Sequence, residues 1–262
     1  MRTRRGSLRR DRLRRSIYLL PNLFTALNLF CGFFAMVAAI DGKFVAAAYA
    51  IIVAGIFDNL DGKIARVTHS TSKFGVEFDS LCDLVSFGVA PGLMMYLWAL
   101  QPLGRIGWLA GFLFVACGAL RLARFNTQVG TVDSRYFVGL PIPAGAGMNA
   151  VTILFCHKVG VEPNAYPLVF LIMLYTLSFL MVSTIKYPSF KNADVLRNKN
   201  FNVLVAAILV LIFIAAQPPV ALFLFGVMYI SSGPIVTLRH QRLARRQAED
   251  GAQEEDQKPS PL

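Results

Sequence analysis

Acidic residues are scarce in this chain. Only 15 Asp and Glu stand against 26 Lys and Arg in 262 residues, a formal net charge of +11. Cysteine is scarce too. Cys31, Cys82, Cys117 and Cys156 all fall in apolar runs, and no two have zinc-ligand spacing. Neither a disulfide framework nor a structural zinc site is expected, and the four read as small buried hydrophobes. A cleavable signal peptide is not expected either. Eight arginines crowd the first fifteen residues, and the apolar run behind them is long enough to stay in a membrane. Histidine forms no cluster. His69 reads as a solvated loop residue. His157, beside Cys156, falls at the far membrane side, which argues against a Cys-His catalytic pair.

Apolar sequence is what the chain has in abundance. It is 55% hydrophobic with a mean hydropathy of +0.54, too high for an ordinary soluble domain. Several runs approach the ~20 apolar residues that cross a bilayer. The expected fold is an all-α integral membrane protein, a polytopic bundle of about eight transmembrane helices with no separate soluble domain. Residues 1–20 form a basic N-terminal arm, read as an interfacial helix or a positive-inside tail. The transmembrane domain covers 21–240, and 241–262 reads as a polar disordered tail. Spans are expected at 22–40, 44–66, 76–100, 104–124, 141–159, 167–185, 203–216 and 219–238. Pro21-Asn22 opens the first, Asp41-Gly42-Lys43 turns the chain, Pro91-Gly92 kinks the third, and Gln217-Pro218-Pro219 separates the last two.

The basic residues orient this bundle. Eight spans leave 23 of the 26 Lys and Arg on the side shared by the termini, and only Lys43, Arg105 and Lys158 on the other. Both termini and the loop near residue 70 are therefore expected in the cytoplasm, with the protein in the cell membrane. The positive charge reads as topology and attraction to anionic lipids rather than nucleic-acid binding.

Against this background the stretch DNLDGKIARVTHSTSKFGVEFDSLCD, residues 58–83, stands out. Asp58 and Asp61 are three apart, and Asp79 and Asp83 four apart, so on helices each pair shares a face. Two helices folded back at the intervening loop would aim four carboxylates into one volume. Without a cation they repel one another. Asp58 lies eight residues before Arg66, ~12 Å along a helix at ~1.5 Å per residue, which puts the cluster near the cytoplasmic boundary. All-oxygen ligands favour a hard cation, Mg²⁺ or Mn²⁺, and two such ions can clamp a phosphoryl group. Gly62 and Gly75 leave room for a ligand or a neighbouring helix. Arg66 is placed to meet a phosphate. Intramembrane carboxylates are functional by default.

The pattern D-x2-D-G-x2-A-R-x8-G-x3-D-x3-D is filled by Asp58, Asp61, Gly62, Ala65, Arg66, Gly75, Asp79 and Asp83. It resembles the signature of the CDP-alcohol phosphatidyltransferases. LPNLFTALNLFCGF (20–33), DLVSFGVAP (83–91), ALRLARFN (119–126) and GLPIPAGA (139–146) are similar to the bacterial phosphatidylserine synthase branch of that family. The resemblance covers roughly residues 16–240. It implies a homodimer and a site with two ions. Asp58 and Asp79 would bridge both, Asp61 would complete one, and Asp83 would complete the other and act as general base. It also implies that CDP-diacylglycerol contacts Asn22, Thr25, Gly62, Arg66 and Ser72, and that the hydroxyl of L-serine displaces CMP. Ser86 is then expected in the acceptor pocket. Arg121, Arg124 and Asn126 are expected near the serine carboxylate or a phosphate, positive-inside anchoring being the plainer reading of the two arginines. Glycerol 3-phosphate and inositol phosphate are the alternative acceptors. A divalent-cation transporter is a remote alternative, since it would hold its carboxylates nearer the midplane.

Overall fold

The computed structural model describes residues 3–68, 72–128, 136–188 and 201–256. His69, Arg135, Lys191, Arg197, Lys199 and the last six residues lie outside them.

Helix α1 runs from Thr3 to Ile40. It includes most of the basic arm and passes through Pro21 without a break, where the sequence had predicted a new start. The arm is rich in Arg and Leu, both strong helix formers, and one internal proline removes only one backbone donor. Gly42, at φ +74°, makes the return. Its N–H donates to Ala39 O at 3.1 Å and that of Lys43 to Ala38 O at 2.8 Å, closing the end of α1. Helix α2, Phe44–Val67, then packs back along α1. The seam between them is built of alanines: Ala35, Ala38 and Ala39 on one side, Ala47, Ala48, Ala50 and Ala54 on the other, all buried. Small side chains let two helices approach closely where lipid removes the ordinary hydrophobic driving force. The outer face of α1 shows Phe30, Phe33, Phe34 and Ile40, as a lipid-facing surface requires.

Helix α3 is composite and spans Lys73–Leu103. It is α-helical to Asp83, π-helical over Leu84–Val89 and again over Tyr96–Leu100, and ends in a 3₁₀ turn. The first π stretch bonds Ala90 N–H back to Val85 O and leads directly into Pro91. A wider turn is one way a helix accommodates a residue that cannot donate. Helices α4 (Arg105–Gln128), α5 (Ile142–Val159), α6 (Pro167–Val182), α7 (Phe201–Ala216) and α8 (Pro218–Asp256) follow, with a 3₁₀ turn over Pro163–Ala165 between α5 and α6. Two short strands, β1 (Tyr136–Val138) and β2 (Lys186–Pro188), pair antiparallel. No strand was expected from the sequence. Tyr187 secures this ribbon to α8: it is fully buried and donates to Ile230 O at 3.3 Å. Burial, with Tyr229 beside it, pushes its phenol up to about 12, so it remains a neutral donor.

Among the described residues, five helical segments are long and apolar enough to cross a membrane, by length and composition: Leu20–Ile40, α2, α3, Arg105–Thr127 and Pro218–Thr237. The other three expected spans coincide with helices that fall short. Helix α5 carries Asn149, His157 and Lys158 within 18 residues, and α6 and α7 have 16 residues each. The segment read as a disordered tail from 241 is helical to Asp256. Its Ala, Arg, Gln and Glu content favours helix even without an apolar face.

Candidate active site

Three elements meet at the site: α1, the last turns of α2, and the first turns of α3. The pairs at spacing three and four do as the sequence predicts. Asp58 and Asp61 project from α2, and Asp79 and Asp83 from α3. Carboxylate oxygens of Asp58, Asp61 and Asp79 all lie within 4.8 Å of one another. Asp83 is buried and meets the Asp58 carboxyl. Asp61 is also buried, 4% exposed, while Asp58 and Asp79 are half-buried.

Side chains of α1 hold the buried pair. The Thr25 hydroxyl donates to Asp61 Oδ2 at 2.9 Å and lies 3.1 Å from Pro21 O. Asn28 Nδ2 donates to Asp83 Oδ1 at 3.0 Å. Among the described residues no Lys or Arg is ion-paired with any of the four; the one salt bridge joins Lys43 to Asp41. Asp79 Oδ1 is enclosed and has no hydrogen-bond partner. Four carboxylates, an orphaned carboxylate oxygen and, among the described residues, no ion pair to any of them make a donor set suited to a hard divalent cation.

A pocket opens beside this cluster. It is lined by Pro21, Asn22 and Thr25 from α1, by Asp61, Gly62, Ala65 and Arg66 from α2, and by Ser72, Gly75, Val76 and Asp79 from the start of α3. All five residues expected to contact the lipid donor thus share one cavity with two of the carboxylates. Ser72 caps α3, its Oγ accepting from Gly75 N at 2.9 Å. Gly75 packs closely here, since a Cβ would come within 3.1 Å of Ser72 Oγ and 3.5 Å of Asn22 Oδ1. The N-terminus of α3 therefore borders the cavity, and it attracts anions. Arg66 Nε donates to Gly62 O at 2.8 Å, which anchors the guanidinium along the pocket wall.

The acceptor residues are less united. Ser86 is fully buried and donates to the backbone carbonyl of Asn28 at 3.0 Å, so it joins helices where it was expected to line a pocket. Arg121 is buried near Asp83 and Tyr229, with Nε unpartnered. Arg124 Nη1 donates to Val182 O at 3.1 Å and Asn126 Nδ2 to Ser80 Oγ at 3.0 Å. Of the four, Arg121 alone combines burial, a free polar atom and proximity to a carboxylate of the cluster. Asn28 was missed. It extends the row of Asn22 and Thr25 by three residues, and that spacing was the available signal.

Apolar helices carrying an aspartate cluster beside a pocket define a helical membrane protein with carboxylates that could hold a metal ion. Comparison with known proteins makes this specific: residues 18–185 match the CDP-alcohol phosphatidyltransferase family, and the chain belongs to it. It is 42% identical over 219 residues to a CDP-diacylglycerol–serine O-phosphatidyltransferase of Helicobacter pylori, covering 84% of this chain and 91% of that one. It is 37% identical over 172 residues to the Bacillus subtilis protein of the same name, covering 66% and 91%. An archaetidylserine synthase of Methanothermobacter thermautotrophicus is 39% identical over 175 residues, covering 66% and 71%.

Proposed function

We propose that this protein transfers the phosphatidyl group of CDP-diacylglycerol to the hydroxyl of L-serine, giving phosphatidylserine and CMP. The observation that carries the reading is the single cavity shared by Asn22, Thr25, Gly62, Arg66 and Ser72 with Asp61 and Asp79. Such a cavity suits a pyrophosphate whose charge needs both cationic and metal partners. Serine as acceptor is supported by the names of the relatives.

In this reading Arg66 and the α3 N-terminus bind the pyrophosphate, and Asn22 and Thr25 orient the nucleotide end. Asp58, Asp61, Asp79 and Asp83 would hold two Mg²⁺ or Mn²⁺ ions, which supply charge neutralisation for the pyrophosphate and the departing CMP. Asp83 takes the proton of the serine hydroxyl. The serine oxygen forms a bond to the phosphorus bearing diacylglycerol, and the bond from that phosphorus to the CMP oxygen breaks, CMP keeping the electron pair. Arg121, near Asp83, is the group best placed to receive the serine carboxylate.

The same reading places eight spans in the cell membrane with both termini and the site on the cytoplasmic side. The basic arm lies against anionic lipid, and the protein works as a homodimer. The 23-to-3 division of Lys and Arg supports that orientation.

Two experiments test it. Purified protein given CDP-diacylglycerol, Mn²⁺ or Mg²⁺ and single alcohols is expected to release CMP with L-serine. Release with glycerol 3-phosphate or inositol phosphate but not serine would overturn the acceptor. Arg66→Ala is expected to raise the KM for CDP-diacylglycerol about 10-fold or more, the value of a charge-assisted bond to phosphate. An unchanged KM removes Arg66 from the donor site.

A further inference from the structure

Asn28 sits in the membrane part of α1, fully enclosed. Its Nδ2 reaches Asp83 Oδ1 across 55 residues of sequence. Its backbone carbonyl accepts from Ser86 Oγ in the π-helical turn that follows Asp83. One turn further along α1, Gly32 lets that turn lie directly against the helix: a Cβ at Gly32 would fall 2.6 Å from Ser86 Cα. Asn28 and Gly32 are four apart on α1, and Asp83 and Ser86 three apart on α3, so the contacts form a closed frame. The backbone approach at Gly32 sets the separation, the Ser86 bond sets the register, and the Asn28 amide ends on the carboxylate.

A buried polar side chain as a rule has at least one hydrogen-bond partner, and the Asn28 amide has its partner in the aspartate cluster. Here the Oδ1 end has no partner, and the Nδ2 end goes to Asp83. The carboxylate torsion of an aspartate is broad and two-fold when nothing holds it. A donor fixed to one oxygen removes that freedom. Thr25 stands in the same relation to Asp61, so α1 offers one donor to each of the two buried carboxylates.

We propose that Asn28 is a positioning residue for the transfer step: it pins Asp83 Oδ1 and so holds the carboxylate in one orientation toward the other aspartates and the incoming hydroxyl. The inference rests on Asp83 taking the proton of the acceptor alcohol, and the test separates the two ideas.

Asn28→Leu, Asn28→Asp, Asp83→Asn and the Asn28→Leu/Asp83→Asn double variant are compared as full-length protein. Turnover is expressed per bound CDP-diacylglycerol, so that loss of folded protein drops out. Asn28→Leu keeps the volume and removes both polar ends. Asn28→Asp keeps the shape and replaces the donor with a second acceptor; it carries the comparison where the leucine variant fails to bind donor lipid. The expected result is a kcat ~10–100-fold lower, the usual cost of losing an orienting partner, with affinity for CDP-diacylglycerol within about threefold. The double variant is expected to be no slower than Asp83→Asn alone, because both changes act through one carboxylate. Turnover per bound lipid within about threefold of the parent, in an Asn28 variant that binds the lipid, overturns the positioning role, since removal of an orienting partner costs more. A full additional loss in the double variant overturns it too. Near-parent turnover in Asp83→Asn overturns instead the part given to Asp83.

Discussion

Asp79→Asn is expected to lower turnover by about 10²–10³-fold in a protein that still folds, a loss on the scale of removing one preorganised charge-stabilising group. Asp79 contributes an oxygen to the trio held within 4.8 Å, and its Oδ1 is enclosed without a partner. Asparagine has the same shape and keeps one neutral oxygen, but it removes a full negative charge from the donor set. The direction for stability is opposite. Without bound cations, four carboxylates in one volume repel, and deleting one charge relieves that repulsion. The cation-free variant should therefore unfold no earlier than the cation-free parent, while the stabilisation that Mn²⁺ gives the parent should be largely lost. CMP release and thermal unfolding in detergent, with and without Mn²⁺, read both effects. Near-normal turnover in Asp79→Asn would defeat the metal account of the cluster.

Removal of divalent cations should have the second largest effect. With a chelator, turnover should fall to background, and Mg²⁺ or Mn²⁺ should restore it. The linked effect on stability has a definite sign, because the cluster exists only in the folded chain. An ion present at 100 times its dissociation constant adds about 2.7 kcal/mol to the folded state, seen as a rise in Tm. Zinc is a poorer substitute on the ligand chemistry, since among the described residues the cluster offers carboxylate oxygen and neither imidazole nor thiolate. Turnover that persists unchanged in excess chelator would sink the assignment.

The convergence of the aspartates was legible because it is written as spacing. Asp58 and Asp61, and Asp79 and Asp83, obey helical periodicity, and Gly62, Arg66, Ser72 and Gly75 sit within the same short stretch. Local geometry alone therefore brings them together. Asn28 and Ser86 were harder because their meaning is tertiary. An asparagine in an apolar run has many possible partners, and Ser86 follows Asp83 at a spacing that would aim it at the acceptor in an uninterrupted α-helix. The π-helical turn between them leaves no compositional mark, so the redirection of Ser86 to Asn28 O could not be read from residues 83–91. Spans were found by hydropathy, and the misses have simple causes. Pro21 reads as a helix start but lies inside one continuous helix, and Ala- and Arg-rich tails fold as helix without an apolar face. The β1–β2 ribbon rests on three-residue strands, too short to show alternation.

The π-helical stretch Leu84–Val89 also bears on how the chain can vary. Before it, α3 directs Asp79 and Asp83 toward α1 and α2. After it, the same helix buries Met94, Met95, Trp98 and Leu100 in the core. The i→i+5 turn lies between the two halves. Residues of an α-helix each advance the azimuth by about 100°, and the wider turn after Asp83 takes more residues to come round. A gain or loss of residues between Asp83 and Pro91 would have to be taken up by that turn, so residue count in this segment bears on the aspartates as residue identity does.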